Sequence, residues 1–331
     1  MPVTQVAVLG ECVADAFVVE TPDPGELALR VLPGGGPANT ATALARLGTP
    51  ARFLGRISRD AFGGLFRRHL AASGVDLTGS VPAPEPSTLA VATVDGEGKA
   101  VYSFRPDGAA DWQWSRAELT LERLGGAVCL HTGSLALVRG PGAEHIEALL
   151  AAAARHATVS IDPNVRTALV DPAVYRARMP RWCALADVVK LSDEDLAHIH
   201  PGESVEEVCD TWHAAGVRLV VVTRGARGAV VSVDGERAEV PAPATQVVDT
   251  VGAGDSFTAG LLHRLHASGT LGGRLDALDL GQAVSAATFA AKVAALTCSV
   301  AGANPPWARD LAEELSGENP PDQGRAALAP G

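Results

Sequence analysis

Lysine is scarce in this chain of 331 residues, which contains only Lys99, Lys190 and Lys292. Acidic side chains outnumber basic ones by 38 to 27, so the formal net charge is −11. Proteins that bind a nucleic-acid backbone or an anionic membrane usually present clustered basic side chains, and this sequence has no such cluster. We therefore expect neither nucleic acid nor a membrane as a partner.

Cysteines are few and far apart, and none of the five belongs to a C-x-x-C pair. Their odd number and wide spacing argue against a disulfide framework and against a zinc site. Long apolar runs are also missing, since no window approaches about 18 uninterrupted apolar residues. The first residues, Met1 to Glu11, lack the basic segment and apolar run of a secretion signal. These absences predict a cytoplasmic protein.

Two common motifs of phosphoryl-transfer enzymes are absent as well. No lysine is followed by Ser or Thr, so the pattern G-x-x-x-x-G-K-[ST] does not occur, and the chain has no H-R-D segment. Two widespread phosphoryl-transfer scaffolds are therefore excluded.

Short apolar runs alternate with helical stretches along most of the chain. This alternation predicts βαβ units and a mostly parallel sheet with helices on both faces. One helix is predicted after Gly36, because Pro37 lies near its first position and Gly48 follows its last. The predicted strands are Val6–Leu9, Ala127–Leu130, Val159–Ile161, Val188–Leu191, Leu219–Thr223 and Ala229–Val233.

Two segments break this rhythm, at residues 13–32 and 88–104. The second contains Asp95-Gly96, a typical turn between strands. Both segments flank the helix that follows Gly34-Gly35-Gly36, so we expect them to form a small antiparallel sheet that acts as a lid. The last residues, 317–331, are rich in Pro, Gly and Ala without periodicity, which predicts disorder.

The segment from Asp249 to Phe257 carries the clearest chemical signal. Gly252 and Gly254 stand directly before a predicted helix, where free backbone N–H groups and the helix dipole can hold an anion. Asp255 stands beside this cradle and could take a proton from a hydroxyl that attacks a phosphoryl group. A plain alternative is that Asp255 only caps the helix.

Four segments together resemble the ribokinase-like, PfkB-type sugar kinases. They are Asp15 after the first strand, Gly34 to Asn39, Val222 to Gly228, and Asp249 to Phe257. The resemblance runs in order over residues 3–315. Within that family, Ile161 to Arg166, Ala186 to Leu196, and Tyr102-Ser103-Phe104 followed by Gly108 to Asp111 look most like bacterial fructokinases.

The resemblance implies a ribokinase-like kinase domain at 1–316 with a lid from about 12–32 and 87–106, followed by the tail at 317–331. It implies ATP as phosphoryl donor, Mg²⁺ and often a monovalent cation such as K⁺. A sugar hydroxyl would be the acceptor, and the resemblance to fructokinases favours fructose as the substrate. Kinases for 2-keto-3-deoxygluconate, ribose or a nucleoside are the alternatives within the family, and a non-catalytic sugar-binding regulator is the alternative of another class. A homodimer through the lid edge is also expected.

The resemblance also implies a role for individual residues. Asp255 would be the base, with Gly252, Ala253 and Gly254 as the anion hole. The acceptor would be held by Asp15, Gly35, Asn39, Asn164 and Arg166, and the nucleotide by Lys190, Thr223, Gly225, Gly228, Gly252 and Gly254. Where the family often has Asn-x-x-Glu, this chain has Ser192-x-x-Asp195, so either Glu194 or Asp195 would order the divalent metal through water. Asp249 would lie at the monovalent cation, and Lys190 has the alternative of being a surface lysine.

Overall fold

The computed structural model describes residues 4–23, 25–94 and 100–311. Within them, the main sheet has eight strands, which are β1 (Val6–Leu9), β4 (Ala51–Leu54), β9 (Cys129–Gly133), β10 (Thr158–Asp162), β11 (Val188–Ser192), β12 (Leu219–Thr223), β13 (Ala229–Val233) and β14 (Glu236–Val240). Their order in the sheet is β14-β13-β12-β11-β10-β9-β1-β4. All neighbours from β12 to β4 are parallel, and β13 and β14 extend the sheet as antiparallel strands.

Helices cover both faces of this sheet, as the alternation of strands and helices predicts. Consecutive strand residues point to opposite faces, so Val6 and Val8 pack into one core while Ala7 and Leu9 pack into the other. The first core contains residues of α1 (Gly36–Arg46), α2 (Ala61–Ala72), α7 (Ala253–Ala267) and α8 (Leu280–Cys298). The second contains residues of α3 (Gly142–Ala153), α4 (Pro172–Leu185), α5 (Asp193–Ile199) and α6 (Val205–Ala215).

A second sheet of four strands stands beside the first, as expected for the lid. Its order is β3-β2-β7-β8, formed by β2 (Val13–Val19), β3 (Ala28–Gly34), β7 (Thr88–Val94) and β8 (Ala100–Arg105). Two antiparallel hairpins, β2/β3 and β7/β8, are joined by a parallel pairing of β2 with β7. The predicted turn at Asp95-Gly96 and the predicted tail at 317–331 lie outside the described residues.

The observed strands differ from the prediction in the extent of the central strand β9, in the edge strand β4 and in a further strand pair. β9 begins at Cys129 rather than Ala127 and continues to Gly133, because the buried residues His131 and Thr132 belong to the strand although they are polar. The edge strand β4 was not predicted, since it has only four residues and includes Arg52. A further pair, β5 (Arg56–Ser58) and β6 (Val81–Ala83), forms a separate two-stranded sheet. In the described parts of the chain, no helix is long and apolar enough to cross a bilayer.

Candidate active site

Polar side chains gather where the parallel strands of the main sheet end. The register pairs Asp162 with Gly133 and Ser192 with Thr223, so the carboxyl ends of β9 to β12 lie along one edge. This edge of an open α/β sheet is where ligands generally bind. The first turn of α7 reaches the same edge, because Nζ of Lys190 on β11 donates a hydrogen bond of 3.2 Å to the carbonyl of Gly254.

Asp255 lies in the first turn of α7 but does not cap it. The N-cap residue is Gly252, with φ of 78°, and no side chain of the described residues caps the helix. Oδ2 of Asp255 instead accepts a hydrogen bond of 2.9 Å from Nδ2 of Asn39 on α1. The capping alternative is therefore wrong, and the carboxylate faces α1 across the site.

The pKa of Asp255 is raised because burial disfavours the charged carboxylate, while the Asn39 hydrogen bond and the Lys190 charge oppose this shift. A carboxylate with a raised pKa and a hydrogen-bonded neighbour is suited to accept a proton.

Three glycines at the start of α1, Gly34, Gly35 and Gly36, allow neighbouring segments to approach each other closely. A Cβ on Gly34 would lie 2.1 Å from Oδ2 of Asp15, and one on Gly35 would lie 2.6 Å from the carbonyl oxygen of Glu11. A Cβ on Gly36 would lie 2.8 Å from Nδ2 of Asn164 and 3.1 Å from Oδ1 of Asp255. The absence of side chains at these positions thus brings the lid strand β2, the end of β10 and the start of α7 together.

The residues expected to hold the acceptor converge on this region. Asp15 on β2 is half-buried, and burial raises its pKa to about 6, with the Arg166 charge acting in the opposite direction. Asn164 follows β10 with a positive φ of 41°. Arg166 is exposed, and its charge affects both Asp15 and Asp255. The structure therefore brings these three residues near Asp255, together with Gly35 and Asn39.

Lys190 is buried, so the surface-lysine alternative is wrong. Its ammonium lies 2.8 Å from Oδ2 of Asp162, and the side chains of the two residues are only 5% and 8% exposed. Asp162 was not among the predicted site residues. The signal that could have found it is a carboxylate at the end of a buried strand, directly before Pro163 and Asn164.

The residues expected on the nucleotide side follow β12. Oγ1 of Thr223 donates a hydrogen bond of 3.3 Å to the carbonyl of Leu191 on the adjacent strand. Gly225 has a φ of 54°, and a Cβ there would meet no atom of the described residues within 4 Å, so the surface at this glycine is open. A Cβ on Gly228 would lie 2.0 Å from the carbonyl oxygen of Val240, which explains this glycine by the contact with the end of β14.

The two predicted metal candidates on α5 differ in their surroundings. Asp195 forms a capping box with Ser192, and its Oδ1 accepts a hydrogen bond of 3.0 Å from the backbone N–H of Val165. Glu194 is exposed, and among the described residues no group donates a hydrogen bond to its carboxylate. The described chain contains no cluster of three or more His, Cys, Asp or Glu side chains arranged to hold a metal by themselves.

Asp249 lies beside the segment that follows α8, as predicted. Its Oδ1 accepts a hydrogen bond of 3.0 Å from the N–H of Val251, and its Oδ2 accepts one of 2.8 Å from the N–H of Gly302. A Cβ on Gly252 would lie 2.8 Å from Cβ of Ala303 in the same segment. The turn that carries the predicted anion hole is therefore packed on residues 298–303.

A glycine turn predicted to hold an anion lies beside the half-buried carboxylate of Asp255, at the end of a parallel sheet that carries a strand lid. This arrangement suits phosphoryl transfer to a hydroxyl group. The chain belongs to the pfkB family of carbohydrate kinases, whose family model matches residues 3–309.

Relatives and solved structures point to the same group. A fructokinase of Rhizobium leguminosarum bv. trifolii is 38% identical over 259 residues, which are 77% of this chain and 78% of the relative. The structure of a Xylella fastidiosa fructokinase with bound ATP has a TM-score of 0.84 at 29% identity, covering 95% of this chain and 99% of that one. A Vibrio cholerae fructokinase with fructose, ADP and calcium ion has a TM-score of 0.75 at 30% identity, covering 91% and 94%.

Proposed function

We propose that this protein is a fructokinase that transfers the γ-phosphoryl group of ATP to a primary hydroxyl of fructose. The observation that carries the proposal is the half-buried carboxylate of Asp255, held by Asn39 in the first turn of α7, which begins after Gly252. Fructokinases among the relatives and solved structures, including ones with fructose, ADP or ATP bound, support the choice of acceptor and donor.

In the proposed reaction, Asp255 accepts the proton of the sugar hydroxyl as that oxygen attacks the γ-phosphorus. The Asn39 side-chain amide donates to one oxygen of the Asp255 carboxylate and so fixes its orientation. The other carboxylate oxygen is then free to accept the proton of the sugar hydroxyl. Gly252, Ala253 and Gly254 are assigned to the anion hole at the positive end of α7, where the charge on the transferring group develops. In this structure the Ala253 N–H donates to the Thr250 carbonyl over 3.2 Å, so it would have to exchange that partner for the phosphoryl group.

Acceptor recognition is assigned to the residues that surround this carboxylate. Asp15 would accept hydrogen bonds from sugar hydroxyls, and Gly35 would allow the backbone before β2 to approach the start of α1 beside the sugar. Asn39 and Asn164 offer amide groups, and Arg166 offers a guanidinium from the outer side of the site.

Nucleotide binding is assigned to the edge formed by the ends of β11 and β12. Thr223, Gly225, Gly228, Gly252 and Gly254 would contact the nucleotide, and Lys190 would lie near its phosphates. A divalent cation such as Mg²⁺ would neutralise phosphate charge there. Glu194 fits this cation through water better than Asp195, because both carboxylate oxygens of Asp195 already accept backbone N–H groups.

A monovalent cation is proposed beside Asp249 and the 294–302 segment, where the Cys298 carbonyl accepts the backbone N–H groups of Val248 and Asp249 and the Asp249 carboxylate accepts the Gly302 N–H. Replacing K⁺ with tetramethylammonium at constant ionic strength should lower kcat. Unchanged activity in the substituted buffer removes this cation from the proposal.

An acceptor comparison tests the proposal most directly. With ATP as donor, fructose should give the largest kcat/KM among fructose, ribose, glucose, adenosine and 2-keto-3-deoxygluconate. The keto acid is the second candidate, because the exposed guanidinium of Arg166 suits a carboxylate. A higher value for any of the other four acceptors contradicts the assignment of fructose, and absence of turnover with all five contradicts the kinase.

We also propose a single kinase domain at 1–316 and a homodimer that pairs through the lid. The lid strands expose apolar side chains, with Val18, Val19 and Leu29 each about 40% exposed. A second copy of the same sheet would cover such side chains.

A further inference from the structure

The ammonium group of Lys190 connects three elements of the active site. It lies 2.8 Å from Oδ2 of Asp162, at the end of β10, and 3.2 Å from the carbonyl oxygen of Gly254, in the first turn of α7. Lys190 itself is on β11 and is 4% exposed. The backbone N–H of Asn164 donates a hydrogen bond of 3.0 Å to the other carboxylate oxygen of Asp162. Both partners of the ion pair are therefore hydrogen-bonded to backbone groups as well as to each other.

A buried lysine is unfavourable unless its charge is paired, so an arrangement of this kind is retained only where it is well satisfied. Here the lysine contacts the residue directly before Asp255. The carbonyl of Gly254 also accepts the hydroxyl of Thr258 over 3.1 Å, so Lys190 adds a hydrogen bond from outside the helix to a carbonyl already used within it. That hydrogen bond restrains the position and the orientation of the first turn of α7 relative to the sheet.

We propose that Asp162 and Lys190 act as a pair of positioning residues, which hold the first turn of α7 and its Asp255 carboxylate against the carboxyl edge of the sheet. This inference rests on the proposed phosphoryl transfer, since the quantity it controls is the placement of the base. It adds to the nucleotide-side role assigned to Lys190 and gives Asp162 a role of its own.

The pair also sets the charge around Asp255. Burial raises the pKa of Asp255, the positive charge of Lys190 lowers it, and the negative charge of Asp162 raises it. The titratable, charged and hydrogen-bonding groups that face Asp255 are Asn39 on α1, Asp15 on β2, Asp162 on β10, Arg166 after β10 and Lys190 on β11. A small cavity beside Asp255 is also lined by Asp162 and by His131 on β9. His131 stays neutral, because burial lowers its pKa to about 4.

Three variants test the pair: Lys190→Met, Asp162→Asn and the double variant. Methionine keeps the length of the lysine stem, and asparagine keeps an oxygen for the Asn164 N–H. We expect each single variant to lower kcat with fructose at least about 10-fold, because a base displaced by about 1 Å loses up to about 100-fold in rate. The double variant should be no slower than the slower single variant, since both changes disrupt one unit. KM for ATP should stay within about threefold of wild type in Asp162→Asn, because Asp162 has no assigned contact with the nucleotide.

The pH dependence of kcat gives a readout that a purely structural role would not move. The acid limb should shift upward by about one pH unit in Lys190→Met, because the positive charge that stabilises the ionised Asp255 is lost. It should shift downward in Asp162→Asn, because the negative charge that destabilises the ionised Asp255 is lost. The double variant carries neither charge, so it keeps the measurement possible if an unpaired Asp162 or Lys190 prevents folding of a single variant. Its acid limb should lie between those of the single variants.

Two results would overturn the inference. One is a rise of 10-fold or more in KM for ATP in Lys190→Met with no effect of Asp162→Asn, which would make Lys190 a phosphate contact alone. The other is independence, in which the fold-losses in kcat of the single variants multiply in the double variant. Wild-type turnover is measured in the same series, so failure of the proposed function is seen separately as the absence of any wild-type transfer.

Discussion

Glu11 is the most unusual single residue near the site. It follows β1 closely, is 2% exposed, and its Oε2 has no hydrogen-bond partner among the described residues. Burial raises its pKa from the ordinary value of 4.5 to about 7, with nearby Asp111 adding to the shift and Ser134 opposing it. At a pH between these two values, the Glu11 carboxyl keeps its proton in the folded chain and has released it in the unfolded chain.

The first prediction follows from that difference. The free energy of unfolding of the wild-type protein should fall as the pH rises from about 4.5 to about 7. In this range Glu11 ionises in the unfolded chain, whereas burial disfavours its ionisation in the folded chain. Glu11→Gln cannot ionise, so its free energy of unfolding relative to wild type should improve by about 3 kcal/mol between pH 4.5 and pH 8. Urea denaturation at several pH values measures this. A difference between the two proteins that is the same at every pH would show that Glu11 does not titrate in this window.

The second prediction concerns the packing around Gly36. A methyl group there would meet Nδ2 of Asn164 and Oδ1 of Asp255, whereas the first position of α1 tolerates alanine as backbone. Gly36→Ala should therefore lower kcat by at least about 10-fold while changing the melting temperature little. Gly273→Ala is the matched control, since no atom of the described residues lies within 4 Å of its added methyl group. Equal activity of both variants would mean that the contact at Gly36 does not constrain the site.

Among the secondary-structure elements, the two central lid strands share one buried hydrogen-bond acceptor, the carboxylate of Asp111. Oδ1 of Asp111 accepts the backbone N–H of Cys12 over 2.9 Å, directly before β2, and its Oδ2 accepts the hydroxyl of Thr88 over 2.7 Å, at the start of β7. These strands pair with each other from Val13 and Thr88 onward. Asp111 therefore fixes the base of both central lid strands at once.

The third prediction tests this attachment. Asp111→Ala leaves the Cys12 N–H without its partner, so the free energy of unfolding should fall by about 2 kcal/mol. Because Asp15 stands on β2, KM for the sugar should rise while KM for ATP stays the same. Thr88→Val loses only one of the two hydrogen bonds and should show a smaller effect in the same direction. A folded Asp111→Ala protein with unchanged KM for the sugar contradicts this view of the lid.

Elements with a strong local pattern were predictable from the sequence, and elements defined by partners were not. The run Val6–Leu9 and the helix after Gly36 carry their own apolar and Pro/Gly signals, and both form. The edge strand β4 and the parallel pairing of β2 with β7 depend on neighbours distant in sequence. In the site, the motif around Asp255 was visible, but the contact between Lys190 and Asp162 joins residues 28 positions apart and required the fold.

For the whole molecule, the exposed apolar residues of the lid give the fourth prediction. Sedimentation of the wild-type protein at micromolar concentration should show a dimer, and Val18→Asp should shift it to a monomer by placing a charge in the covered surface. Val247→Asp, at a residue 60% exposed and outside the lid, is the control and should remain dimeric. A wild-type monomer, or a dimer that persists in Val18→Asp, rules out pairing through this face.

The central claim for the whole protein is that it is a sugar kinase whose base is Asp255. Asp255→Asn keeps the shape of the side chain and an oxygen for Asn39 but removes its basicity. ATP affinity should stay similar or become tighter, because a carboxylate beside a polyphosphate repels it.

The most direct measurement is single-turnover phosphoryl transfer to fructose by Asp255→Asn at saturating ATP and sugar. The rate should fall about 10²- to 10⁴-fold relative to wild type, with the fold intact by its melting temperature. A rate within about threefold of wild type, equivalent to about 0.6 kcal/mol in the barrier, would contradict the assignment of the base.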